Sequence, residues 1–101
     1  MNELLTEDQI AEHLTKLEGW GREGHEIVRL FSFPSYLAGI RFVDEVAVLA
    51  EEANHHPDIQ IGWRKVTLKL STHSKGGLTI ADMNLAAKIN NLVNAGGVSS
   101  V

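Results

Sequence analysis

The sequence predicts a single α+β domain, in which three helices pack on one face of a four-stranded antiparallel sheet. Two observations lead to this fold class. Helix-like and strand-like patterns follow one another in the order αββαββα, and neighbouring strands joined by short turns favour antiparallel pairing. A length of 101 residues provides one hydrophobic core. We therefore assign residues 1–101 to one domain and expect the glycine- and serine-rich segment 95–101 to be a flexible tail.

The first half of the chain contains a helix and two short strands. Thr6 is a typical helix N-cap, apolar residues recur after it at helical spacing, and Gly19 ends the element. Residues 20–23 and 25–33 have the composition of two strands joined across Gly24. In the second strand, apolar residues occur at both odd- and even-numbered positions, so the pattern does not show which face of the strand points inward.

A long helix is predicted for residues 35–54, and its apolar residues form two stripes. Such a wide arc indicates that one stripe enters the core while the other meets a partner helix, or else that the helix has one broad core face. The first stripe comprises Phe42, Val46, Leu49 and Ala53, and the second comprises Ile40, Val43, Ala47 and Ala50.

Pro57 ends this helix, and residues 58–62 and 63–72 then resemble a hairpin. The second strand is the clearest in the chain, and counting along it by twos places His73 on its polar face. A loop at 74–77 leads to the last helix. Thr79 caps that helix, with Asp82 at its third position in a capping-box-like arrangement.

Composition and charge exclude several classes of partner. Hydrophobic residues make up 44% of the chain, charged residues 22%, and the net charge is −4. Without a run of Lys or Arg, nucleic acid is not expected as a direct partner. The N-terminus does not resemble a signal peptide and no apolar stretch is long enough to span a bilayer, so we expect no membrane partner. The chain has no cysteine, which fits a reducing compartment, and we expect a cytoplasmic protein.

Three of the five histidines lie within the window of 19 residues from His55 to His73. In one interpretation, His55, His56 and His73 meet at one edge of the sheet and act as general acids and bases, since imidazole exchanges protons near neutral pH. Asp82 opens the next helix and can orient an imidazole or hold a polar ligand.

Two other interpretations stay open. A metal site can be drawn from His55 or His56 with His73 and either Asp58 or Asp82, although the spacing lacks the helical pair of common zinc enzymes. The histidines can also be surface or capping residues. We favour this last interpretation for His13 and His25, which lie outside the cluster.

The run from Glu51 to Pro57, Glu-Glu-Ala-Asn-His-His-Pro, resembles the signature of the pterin-4a-carbinolamine dehydratase family. The similarity is strongest from Glu51 to Ile89, and the length and element order of the chain also agree. The downstream positions that match at the family's intervals are Trp63, Val66 to His73, Gly77-Leu78-Thr79, Asp82, Leu85-Ala86 and Ile89.

The resemblance implies a reaction, a fold and an assembly. The reaction is the dehydration of 4a-hydroxytetrahydropterin to quinonoid dihydropterin, which recycles tetrahydropterin for aromatic amino acid hydroxylases. The implied fold is the α+β arrangement given above. The implied assembly is a homo-oligomer, a dimer or a tetramer, formed through the 35–54 helix and the sheet edge.

The resemblance also implies roles for individual residues. His55, His56 and His73 line the pterin site and share the acid and base roles, with no cofactor and no metal. Trp63 is expected to pack rather than to catalyse. The implied substrate-binding or orienting residues are Glu51, Asn54, Pro57 and Asp82.

The sequence departs from better-known animal members at two positions. Ile59 stands where an aromatic residue is common, and Ala81 stands where an arginine is common, so substrate affinity and preference are open. Two rival functions also stay open. One is a dimerisation module for a transcription factor, as in some animal relatives, and the other is a pterin-handling role in molybdopterin metabolism.

Overall fold

The computed structural model describes residues 3–94, which form three helices and one sheet. The sheet is entirely antiparallel, with strand order β1-β2-β4-β3, which confirms the predicted α+β class and element order. The predicted tail, 95–101, lies outside the described residues. The elements are α1 (Glu7–Thr15), β1 (Gly21–Glu23), β2 (Glu26–Ser32), α2 (Tyr36–Ala53), β3 (Asp58–Gly62), β4 (Lys65–Leu70), a 3-10 turn (His73–Lys75) and α3 (Ile80–Asn94).

The N-terminus of α1 is fixed by a reciprocal capping box. The Thr6 hydroxyl accepts the backbone N–H of Gln9 at 3.1 Å, and the Gln9 side chain accepts the backbone N–H of Thr6 at 2.9 Å. The predicted N-cap is therefore confirmed.

One face of the sheet is covered by the helices. Ile27 and Phe31 of β2 are fully buried, and they pair with Leu70 and Val66 of β4. This register settles the inward face of β2, which the sequence pattern left undecided. The opposite face includes Leu30, which is exposed. Side chains from all three helices join the inward residues of the sheet in a single core.

Helix α2 buries one stripe, which consists of Gly39, Phe42, Val46 and Ala50. Ala50 of the second predicted stripe therefore lies in the core of the chain itself, together with Phe42 and Val46 of the first, so the two predicted stripes are not two separate faces. Ala47 of the second predicted stripe is exposed, as are Leu37 and Val48 on other faces of the helix. A Cβ added at Gly39 would lie 3.5 Å from side-chain atoms of both Phe33 and Val66, so the helix lies close to the sheet there.

A polar network joins the segment after α1 to the sheet and to α3. Asn90 accepts hydrogen bonds from the Trp20 indole N–H at 2.9 Å and from the Arg29 guanidinium at 2.6 Å. Arg29 and the Asn90 amide both donate to the carbonyl of Glu18, at 2.9 and 3.0 Å. Partial burial lowers the pKa of Arg29, and the nearby Glu18 charge opposes that shift. The network satisfies the polar groups at this edge of the core.

Among the helices within residues 3–94, none combines the length and the apolar character needed to cross a membrane.

Candidate active site

The backbone turn at Asn54 directs the first two histidines out of α2. Asn54 adopts a left-handed conformation with φ of 49°, and its N–H reaches the carbonyls of Ala50 and Glu51. The next N–H, that of His55, donates to the Ala50 carbonyl at 3.0 Å. Asparagine tolerates this conformation better than most residues, which explains its presence at the C-cap. The chain then becomes extended, and β3 begins at Asp58.

The third histidine reaches the same region by a different route. Strand β4 ends at Leu70, Thr72 forms an isolated bridge with Gly77, and His73 opens the 3-10 turn. Strand alternation no longer applies beyond Leu70 because the backbone turns. The turn, and not the strand alternation, therefore brings His73 to the site.

The three clustered histidines line one cavity of about 250 Å³. His55 is the most enclosed of them, with 14% of its side chain exposed, whereas His56 and His73 are exposed. The other lining residues are Asn54, Ser71, Thr72 and Ser74. Of the remaining residues implied by the resemblance, Glu51 contacts His56, Asp82 contacts His55, and Pro57 is not among those that line the cavity.

Asp82 anchors His55 from the interior of the protein. Its side chain is fully buried, and its Oδ1 lies 2.6 Å from Nε2 of His55. Oδ2 accepts two further hydrogen bonds, one from the Thr79 backbone N–H and one from the Thr72 hydroxyl, both 2.9 Å long. The bond from Thr79 completes half of the predicted capping box. An ionised carboxylate can only accept, so the hydrogen on this side of the imidazole belongs to Nε2.

A neutral His55 beside an ionised Asp82 therefore carries its hydrogen on Nε2. In the neutral imidazole only one nitrogen carries hydrogen, so Nδ1 is left with a free lone pair. A buried carboxylate that holds one ring nitrogen therefore presents the other as a proton acceptor. The ring is a wall of the cavity, where a bound molecule can reach it.

Two threonine hydroxyls extend this network, and sequence reasoning did not assign them to the site. The Oγ1 atoms of Thr72 and Thr79 are 2.8 Å apart. Since the hydrogen of Thr72 is used for Asp82, Thr79 is the donor in this pair. Thr79 Oγ1 in turn accepts the N–H of Ala81 at 3.2 Å. The spacing of a threonine three residues before an aspartate indicates a cap, but nothing in it points to Thr72.

The two exposed histidines have different surroundings. Nε2 of His56 lies 2.6 Å from a carboxylate oxygen of Glu51, and both side chains are largely open to solvent. The ring of His73 takes part in none of the side-chain hydrogen bonds found between residues 3 and 94. His73 is therefore free to contact a molecule in the cavity.

A second cavity, of about 240 Å³, also has His55 in its wall. Its remaining lining comes from the end of α2 and the first turns of α3, namely Ala53, Ile80, Ala81, Asn84, Leu85 and Lys88. A third cavity, of about 250 Å³, includes Trp63 and Lys65 at the opposite end of β4. Trp63 is 73% exposed in the single chain, and the centre of its ring lies 5.0 Å from the guanidinium carbon of Arg64.

Within the described part of the chain, no group of three or more His, Asp or Glu side chains is close enough together to hold a metal ion.

Comparison with known proteins identifies close relatives over most of the chain. A family model described as pterin 4 alpha carbinolamine dehydratase matches residues 3–92. A protein of Roseiflexus castenholzii named for pterin-4-alpha-carbinolamine dehydratase is 54% identical over 93 residues, which cover 92% of this chain and 100% of the relative. A protein of Natronomonas pharaonis with the same name is 47% identical over 92 residues, which cover 91% of this chain and 98% of the relative.

Two solved structures share the fold. One, from Brucella melitensis, is described as a transcriptional coactivator/pterin dehydratase; it matches with a TM-score of 0.85 and 33% identity over 89% of this chain and 98% of its own. The other is described as a pterin dehydratase-like protein that is a RuBisCO assembly factor in the alpha-carboxysome. It matches with a TM-score of 0.63 and 29% identity over 74% of this chain and 89% of its own. With a family model that spans most of its length, the chain belongs to the pterin-4a-carbinolamine dehydratase family, whose named activity is that of a hydro-lyase.

Proposed function

We propose that this protein dehydrates 4a-hydroxytetrahydropterin to quinonoid dihydropterin by histidine acid–base catalysis. The hydroxyl group on C4a leaves as water after it gains a proton, and N5 loses its proton as the C4a–N5 double bond forms. The reaction therefore needs one proton donor and one acceptor beside a flat heterocycle. The observation that carries the proposal is His55, which Asp82 orients in the wall of a cavity shared with two exposed histidines.

His55 is the proposed base. Its Nε2 is committed to the buried Asp82, so Nδ1 is the atom that accepts the N5 proton. When the ring becomes an imidazolium, the carboxylate beside it stabilises the new charge. Asp82 acts as a positioning residue in this proposal, because its side chain is fully buried and cannot contact the substrate.

His73 or His56 is the proposed acid. Both rings lie at the cavity and are exposed to solvent, so either can deliver a proton to the leaving hydroxyl. The Glu51 carboxylate orients His56 and keeps lone pairs for the aminopyrimidine edge of the pterin. Asn54 offers an amide from the cavity wall, and Pro57 fixes the extended chain after the histidine pair.

The test is the rate of dehydration of freshly generated 4a-hydroxytetrahydropterin, followed by the absorbance of the quinonoid product above the spontaneous rate. A His55→Ala/His73→Ala double variant is compared with a His13→Ala/His25→Ala control, since neither control histidine lines the cavity. We expect the unmodified protein and the control to accelerate the reaction and the double variant to lose most of that acceleration, since positioned proton transfer contributes roughly 100- to 10,000-fold. Equal rates for both double variants would contradict the assigned site.

Two single-residue variants separate the two candidate acids. His56→Ala and His73→Ala are compared under the same conditions, and the variant with the larger loss of kcat identifies the donor. If both single variants retain full kcat, a His56→Ala/His73→Ala double variant decides: full kcat there as well would show that the proposed acid role is wrong for both residues.

We also propose that the protein self-associates through α2 and the sheet edge. The exposed apolar side chains Leu37 and Val48 lie on α2, and β3 is an edge strand with Ile61 45% exposed. An edge strand presents unpaired backbone N–H and C=O groups that a second copy can satisfy. Light scattering of the purified protein tests this, and a monomeric mass would contradict it.

A second candidate function is protein binding, and the exposed Trp63 favours it. The two solved structures are described as a coactivator/dehydratase and as an assembly factor, so the fold occurs in proteins with such roles. In this chain the candidate function predicts a complex with a transcription factor that survives His55→Ala/His73→Ala substitution. A role in molybdopterin metabolism would instead appear as tight pterin binding without dehydration.

A further inference from the structure

The second cavity borders the candidate active site directly, because His55 belongs to the walls of both. Apart from His55, its polar side chains are Asn84 and Lys88 of α3, and the rest of its lining is apolar. Ala81, Asn84 and Lys88 follow one another at helical spacing and so lie along one face of the helix. Ala81 contributes only a methyl group to the wall that also contains His55 and Lys88.

The positive charge of Lys88 has no carboxylate partner among residues 3–94. Three other cations pair with carboxylates, in Lys16–Glu12, Arg22–Glu7 and Lys69–Glu23. Between residues 3 and 94, no ion pair involves Lys88, and no carboxylate belongs to the cavity wall. The nearest acidic residue in sequence on the helix, Asp82, is buried and committed to His55 and the two threonines.

The side chains of Lys88 and Asn84 favour an anion as the ligand of the second cavity. An ammonium group and an amide together supply hydrogen-bond donors to phosphate or carboxylate oxygens. Each cavity alone is small for a ligand site, whereas two cavities that meet at His55 reach the ordinary size of small-molecule sites. A single molecule with a flat ring and a short charged substituent fits such a pair.

Resting on the proposed dehydratase function, we propose that the second cavity receives the substituent on C6 of the pterin and that Lys88 and Asn84 bind an acidic group at its end. The preferred substrates are then pterins with a phosphate or carboxylate on the side chain. Lys88 contributes to affinity and takes no part in the proton transfers at His55.

The experiment compares two kinds of substrate on the intact protein. One is 6-methyl-4a-hydroxytetrahydropterin, which has a neutral side chain, and the others carry a phosphate or a carboxylate at the end of the C6 substituent. We expect a KM roughly tenfold lower for at least one acidic substrate, equivalent to about 1.4 kcal/mol. The phosphate and carboxylate arms identify which group the cavity prefers.

Lys88→Met should abolish that preference by raising KM for the acidic substrate about tenfold, with kcat and the 6-methyl substrate unaffected. Lys65→Met is the matched control, because Lys65 lines the cavity at the opposite end of β4. If Lys88→Met leaves the ratio of the two KM values unchanged while the neutral substrate is turned over, the inference is wrong and the dehydratase function stands.

A binding measurement keeps the inference testable if no substrate is turned over. The probes are 6-methylpterin, pterin-6-carboxylate and 6-hydroxymethylpterin phosphate, whose fluorescence is followed on titration with protein. The anion site is supported, even if the dehydratase proposal fails, when an acidic probe has a lower dissociation constant than 6-methylpterin. Lys88→Met should remove that difference. Equal dissociation constants for all three probes overturn the inference.

Discussion

The Thr72 hydroxyl donates a 2.9 Å hydrogen bond to Oδ2 of Asp82, while His55 lies 2.6 Å from Oδ1 of the same carboxylate. Thr72, which follows β4, is thereby connected to His55, which follows α2. The connection runs through Asp82 in the first turn of α3. Three elements that are distant in sequence meet at one buried carboxylate. The orientation of His55 therefore depends on the end of β4 as well as on its own backbone.

Thr72→Val removes the hydroxyl and nearly preserves the shape of the side chain. With one hydrogen bond fewer, Asp82 holds His55 less firmly, and we expect kcat for dehydration to fall roughly tenfold, or about 1.4 kcal/mol in activation free energy, with little change in KM. Thr72→Ser keeps the hydroxyl and should restore kcat. A loss of kcat in Thr72→Ser with full kcat in Thr72→Val would show that the methyl group, through packing, is what matters at this position.

Asp82→Asn should reduce both stability and activity. The NH2 group of an asparagine cannot accept a hydrogen bond. Either His55 or the Thr72 hydroxyl and Thr79 N–H therefore lose the oxygen to which they are bonded in the unmodified protein. We expect the free energy of unfolding to fall by about 1–3 kcal/mol, measured by urea denaturation, and kcat to fall by at least the loss seen for Thr72→Val.

His55→Gln is the comparison for that variant. It removes the proposed base while an amide N–H can still reach Asp82, so it should lose catalysis with a smaller loss of stability. If Asp82→Asn retained full stability, the carboxylate would not be the structural anchor inferred from its contacts.

The sequence pattern predicted the parts of the fold that depend on local chemistry. The Thr6 cap, the alternating strand β4 and the order of the elements are each determined within a few residues, and all three are confirmed. The histidine run and its downstream matches were also sufficient to identify the family.

Features that depend on distant contacts were harder to predict. The division of the apolar residues of α2 into two stripes failed at Ala50, because an apolar arc does not reveal how the neighbouring sheet is placed against it. The role of Thr72 as a hydrogen-bond donor to Asp82 was not predicted, because the two residues are ten positions apart in the sequence. The inward face of β2 required the strand register, since both of its faces carry apolar residues.

The exposed residues of α2 give a direct test of self-association. Val48 is 57% exposed, so Val48→Glu should fold normally and reduce the mass measured by light scattering if this face is an interface. Ala50→Glu is not a suitable probe, because Ala50 is 2% exposed and a buried, unpaired carboxylate would cost several kcal/mol of stability. An unchanged mass for Val48→Glu together with Leu37→Glu would exclude this helix from the interface.

Gly19→Ala should destabilise the protein more than an ordinary glycine replacement. Gly19 and Gly24 both have positive φ, at 84° and 62°, so alanine at either position is strained by roughly 1–2 kcal/mol. At Gly24 a new Cβ meets nothing within 4 Å, whereas at Gly19 it would lie 2.5 Å from Nε of Arg29. Arg29 would have to move, and its hydrogen bonds to Asn90 and Glu18 would be lost or distorted.

Urea denaturation of the two variants isolates this effect. We expect Gly19→Ala to lose about 1–3 kcal/mol more than Gly24→Ala, and the difference should shrink when both are made in an Arg29→Met background. Dehydratase activity at temperatures where the variants stay folded should be unaffected, because neither glycine lines the histidine cavity. If the difference persisted without the Arg29 guanidinium, the clash with that side chain could not be its cause.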